Sequence, residues 1–119
     1  MGGEVVDLIQ LVKRLTGAEE QAHRRPLFAR HVRLSGEVRT WFAARSHVEQ
    51  CTFAELLLKL DANPVADGTH PVLGVHARPG MRWTVFGDFR AIYTWNLVEN
   101  RITVILCSPV VQSGKQSGQ

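Results

Sequence analysis

The run GDFRAIYTW, from Gly87 to Trp95, sets one guanidinium, Arg90, among aromatic and branched residues of strand type. A guanidinium so placed either lies on a solvated face or is aimed at an anion, to which its planar fork donates paired, charge-assisted hydrogen bonds. Arg82, Trp83 and Tyr93 stand close enough in sequence to extend such a site with a second cation and two flat rings. Of the five histidines, none stands four residues from another on a helix. His70 and His76 share a long loop and could act as acid or base there, although loop histidines are mostly solvated. The two cysteines, Cys51 and Cys107, lie in apolar surroundings without metal or redox spacing and read as small core residues. No G-x-S-x-G, H-E-x-x-H, P-loop or dinucleotide fingerprint occurs, which removes the enzyme classes those motifs mark and implies no cofactor or metal.

Charge gives a weaker indication. Fourteen Lys plus Arg against eleven Asp plus Glu leave a net charge of +3, with Arg24, Arg25, Arg30 and Arg33 clustered near the first quarter. Such a balance suits a partner rich in phosphates or carboxylates and equally suits a plain soluble surface. The chain of 119 residues is long enough for one domain with its own core. It lacks both a run of ~20 apolar residues and a basic, cleavable leader. A cytoplasmic protein that keeps clear of membranes is therefore expected.

The elements that must hold these residues follow from periodicity. Residues 4–16 carry Val5, Leu8, Val12 and Leu15 at spacings of three and four, an amphipathic helix whose apolar stripe must be buried against its own domain, a partner or a homodimer mate. Leu27 to Leu34 alternates as a first strand. Ser35 then caps a helix with Val38, Trp41 and Phe42 on one face, and the patterns Ser46-x-x-Glu49 and Thr52-x-x-Glu55 each read as a capping box. Asn63-Pro64 stops the second helix of the pair, which carries Val48, Phe53, Leu56, Leu57 and Leu60. A long loop rich in Gly and Pro leads to three strands, Arg82 to Phe86, Phe89 to Trp95 and Arg101 to Cys107. Gly87-Asp88 reads as a two-residue hairpin turn, and Glu99-Asn100 marks the next one. That turn sets Val85 opposite Arg90 and Trp83 opposite Ile92 on one face. Arg82, Thr84, Phe86, Phe89, Ala91, Tyr93 and Trp95 fall on the other. Both faces are mixed, so alternation does not say which one meets the helices. The class is α+β: an N-terminal helix and a helical hairpin packed on a small antiparallel sheet. Residues 1–25 read as a helical extension, 26–109 as the domain and 110–119 as a polar tail.

Three stretches resemble the RelE/ParE superfamily of toxin-antitoxin toxins. They are the helix end LLLKLDANP from Leu56 to Pro64, the loop with Gly68 and Leu73-Gly74, and GDFRAIYTWNLVENRITVI from Gly87 to Ile105. The resemblance implies a toxin component of a type II toxin-antitoxin system that binds a macromolecular target, with a cognate antitoxin as partner. In one branch the target is messenger RNA on the ribosome, cut by an endoribonuclease; in the other it is DNA gyrase. A non-catalytic protein-binding module is the third reading. Arg90 matches the family's hairpin arginine, which implies a catalytic or phosphate-binding role for it, joined by Arg82, Tyr93 and Trp83 in holding the target. Where the family often carries Arg-x-Arg or Lys-x-Lys before the turn, this chain has Trp83 and Val85, and CSPVVQSGKQSGQ lacks the basic and tyrosine cluster of the ribonucleases. A structural role, with Arg90 paired to Asp88, stands beside these.

Overall fold

Phe86 and Phe89 face each other across Gly87-Asp88, where Gly87 takes a φ of 55°. A left-handed first residue matches the twist of the strands that a two-residue turn joins, and glycine adopts it without a Cβ penalty. The hairpin register is the one the turn demands, with Val85 opposite Arg90 and Trp83 opposite Ile92. The computed structural model describes residues 8, 10–14, 30–75 and 77–110. Their order is β1 (His31–Leu34), α1 (Gly36–Ala43), α2 (His47–Ala62), β2 (Thr69–Pro71), β3 (Met81–Phe86), β4 (Phe89–Asn96) and β5 (Arg101–Pro109). Residues 10–14 are helical and precede these elements.

The five strands form one sheet in the order β1-β5-β4-β3-β2, with β1 parallel to β5 and every other pair antiparallel. The architecture is α+β, as expected, but the sheet is mixed where an antiparallel one was expected, because β1 runs parallel to β5, and it differs in two further ways. β2 was expected as loop: it is three residues long, contains Pro71, and pairs with the outer edge of β3. β5 also runs on to Pro109, and a bulge opposite Ile92 and Tyr93 inserts Ile105 into its ladder with β4.

The helices form where their caps indicate. Ser35 accepts from the Val38 amide, and its own hydroxyl donates to the Ile105 carbonyl, tying the start of α1 to β5. Ser46 and Glu49 make a reciprocal capping box at α2. Thr52 does not cap anything. It lies inside α2 and donates back to the Val48 carbonyl, since the helix has already begun at Ser46. Asn63 ends α2 before Pro64.

One side of the sheet meets the helices. Val38 and Phe42 from α1, Phe53, Leu57 and Leu60 from α2, and Phe86, Phe89, Ala91, Tyr93, Ile102 and Val104 from the sheet are buried together. Trp41 sets its ring edge-on to Phe53, Phe86 and Phe89 at 5.2, 5.8 and 5.1 Å. Leu8, Leu11 and Val12 join this core, so the described part of the N-terminal stripe is covered by the chain itself. Val5, Leu15 and the first residues of the expected strand lie outside the described residues, as do His76 and the tail from residue 111. Val48, expected on the apolar face of α2, is exposed, and Cys51 is half-buried where Cys107 is buried. No helix among the described residues is long and apolar enough to cross a membrane.

Candidate functional site

Burial separates the two faces that alternation left open. Thr84, Phe86, Phe89, Ala91 and Tyr93 point into the core, so Trp83, Val85, Arg90 and Ile92 stand on the side that none of the described helices covers. Register extends this open face in both directions. His70 on β2 lies opposite Trp83, and on β5 Leu106 lies opposite Ile92 and Ser108 opposite Arg90. His70, Trp83, Ile92 and Leu106 thus form one row across four strands, and Val85, Arg90 and Ser108 form the next.

The centre of the face is a stack. The His70 ring lies 4.6 Å from the Trp83 ring, centroid to centroid, with 36° between their planes. From the other row the Arg90 guanidinium reaches diagonally over the same indole, its Cζ 5.0 Å from the centroid. A cation over an indole face is attracted by the ring quadrupole, about 0.5–1 kcal/mol where water reaches it. This is the partner Arg90 has in place of Asp88, with which it makes no ion pair. Its hydrogen-bonding edges remain exposed.

The face is also one-sided in charge. Arg33 and His31 on β1 and Arg101 on β5 share it, and no Asp or Glu occurs in any of the five strands. Arg101 is paired with Glu99 of the preceding turn at 3.0 Å. Among the described residues no group of three or more side chains could hold a metal.

Two of the residues expected to meet a target are turned inward. Tyr93 is fully buried, and its hydroxyl donates to the Pro64 carbonyl beyond α2. Arg82 is half-buried on the helix side, where its Nη2 donates to the Thr69 carbonyl and hydroxyl at 3.2 and 3.0 Å. Thr69 in turn donates to the Ala66 carbonyl, and Thr84 donates to the Gly68 carbonyl. These bonds hold the short strand β2 against β3 and so set His70 over Trp83. Arg90 and Trp83 stand on the open face together, whereas His70 was considered only as a loop histidine. The signal that could have found it is the turn glycine Gly68, with a φ of 91°, followed directly by Thr69 and His70.

No family model matches the sequence, and no curated protein matches it. Among solved structures, the isolated E. coli RelE toxin is 11% identical, with 76% of this chain and 94% of that one covered at a TM-score of 0.62. A RelE-RelB complex from Pyrococcus horikoshii is 19% identical, covering 67% and 93% at 0.58. A RelBE toxin-antitoxin complex from Mycobacterium tuberculosis is 15% identical, covering 68% and 98% at 0.59. At such identities the likeness is one of backbone architecture: the chain has the fold of the RelE toxins.

Proposed function

We propose that this protein is the toxin component of a toxin-antitoxin pair and acts by holding a macromolecular target on its open sheet face. The observation that carries the reading is that face: a stacked His70, Trp83 and Arg90 on a cationic sheet of the RelE fold, with no carboxylate in any strand. Arg90 supplies a guanidinium whose edges are open to an anionic partner, and Trp83, Ile92, Val85 and Leu106 supply apolar contact around it. The likeness to structures of RelE toxins with their antitoxins supports a cognate antitoxin as partner.

A second reading, a ribosome-dependent mRNA endoribonuclease, is favoured by one feature. His70 and Arg90 flank the same ring, so a group able to move a proton and a group able to stabilise a phosphorane charge share one surface. Induced expression decides between them. Growth arrest relieved by co-expressing a small neighbouring open reading frame supports the toxin reading, and unimpaired growth overturns it. New transcript ends during arrest that vanish in Arg90→Ala identify the nuclease. Intact transcripts during arrest identify the binder.

A further inference from the structure

We infer that His47 and Cys51 form half of a zinc site, and that one Zn2+ held between two copies of this chain completes it. The two residues stand four apart near the start of α2, so about one helical turn sets both on the same side of the helix. The Cys51 Sγ lies 3.7 Å from the His47 Nε2. In the free protein that separation suits a sulfur hydrogen bond. It suits a metal as well: with Zn–S at about 2.3 Å and Zn–N at about 2.0 Å, a tetrahedral angle puts sulfur and nitrogen about 3.5 Å apart. His47 is exposed and Cys51 half-buried, so a cation reaches both from solvent. Histidine-to-histidine and cysteine-to-cysteine spacings do not show such a pair, because it takes one of each.

The pair is short of a full set of ligands. No group of three or more possible metal ligands occurs among the described residues, so two of the four tetrahedral positions stay open. A second copy fills them. Two-fold symmetry brings the same pair from each chain and makes a Cys2His2 set. Charge favours that count. Each thiol gives up one proton on binding, and two thiolates with two neutral imidazoles cancel the double charge of the ion, where one chain alone would leave half of it uncancelled. Thiolate and imidazole together suit zinc, whereas magnesium and calcium prefer oxygen. Val48, next to His47, is 73% exposed and gives the contact an apolar part beside the metal. Because α2 packs on the side of the sheet away from Trp83 and Arg90, the dimer leaves the open face free. The inference is thus independent of the target-binding reading.

The test titrates Zn2+ into the untagged full chain and follows its mass by sedimentation, with Mg2+ as control. A dimer holding one zinc per two chains is expected, and EDTA should return it to monomer. His47→Ala and Cys51→Ser should each weaken zinc-dependent dimerisation about tenfold or more. His31→Ala, which removes an exposed histidine of β1, should leave it unchanged. Co2+ in place of zinc should show the absorption bands of a tetrahedral ion bound to thiolate, and Cys51→Ser should lose them. Zinc should also slow the alkylation of Cys51 by iodoacetamide about tenfold, since the metal occupies the nucleophilic sulfur. One zinc per chain without a change in mass, zinc-dependent dimers of full strength in both variants, or no zinc bound at micromolar concentrations would each overturn the site. A dimer equally strong in EDTA would overturn it too.

Discussion

Single side chains on this sheet divide sharply by the face they occupy. Tyr93 and Arg90 are three residues apart, and one is sealed in the core while the other is open to solvent. Tyr93→Phe removes a buried bond to the Pro64 carbonyl and should lower stability by about 1 kcal/mol in urea unfolding. It should leave growth arrest unchanged, whereas Arg90→Ala should weaken arrest and lower stability by no more than about 1 kcal/mol, the worth of its contact with Trp83. The two thiols differ in the same way. Burial pushes Cys107 up to about 12 from 9.0, because the thiolate would lose its hydration there. Above pH 9 the unfolded chain loses that thiol proton while the folded chain keeps it. The contribution of Cys107 is therefore whole below pH 9 and falls away as the pH rises toward 12. In Cys107→Ala the stability lost across that window should be smaller than in the wild type. With iodoacetamide at pH 8, Cys51 should react in the folded protein and Cys107 only after unfolding.

Local chemistry decides where each element begins. Ser46→Ala should cost about 1 kcal/mol by removing the cap of α2. Thr52→Ala should cost much less, although both residues head the same sequence pattern. At Gly80 the φ is 79°, and a Cβ would sit 2.4 Å from the Trp95 carbonyl oxygen. Gly80→Ala should therefore destabilise by about 1–3 kcal/mol, measured by the same unfolding. The hairpin and both helices were legible in the sequence because each is fixed by a short-range signal: a two-residue turn, a serine cap, an Asn-Pro stop. β2 was not, since Thr69-His70-Pro71 has no alternation of its own and is held by side chains from β3. The site inherited that difficulty. Arg90 and Trp83 could be paired from the turn alone, but His70 reaches them only through β2. The orientation of the sheet was also hidden, because Arg82 spends its charge on the helix side while Trp83 and Leu106 remain outside.

At the scale of the molecule, the described N-terminal residues share one interior with the helices and sheet that follow. Leu8, Leu11 and Val12 are buried with Phe53 and Tyr93, so Val12→Asp should cost about 3 kcal/mol or more in urea unfolding. The sheet also joins the two ends of the described domain. β1 pairs in parallel with β5, and the bond from Ser35 to Ile105 spans 70 residues. Pairings of that span form late, because a long loop must close before they contribute. During synthesis β1 and α1 emerge early and wait, with no strand to receive them, until the last one leaves the ribosome. Ile102 and Val104, two of the fully buried residues of the core, arrive only with it. A chain broken off before residue 101 has neither a closed sheet nor a finished interior. The first strand thus acts as a check on completeness, and a truncated translation product carries the stack of His70, Trp83 and Arg90 without the body that would hold it in place.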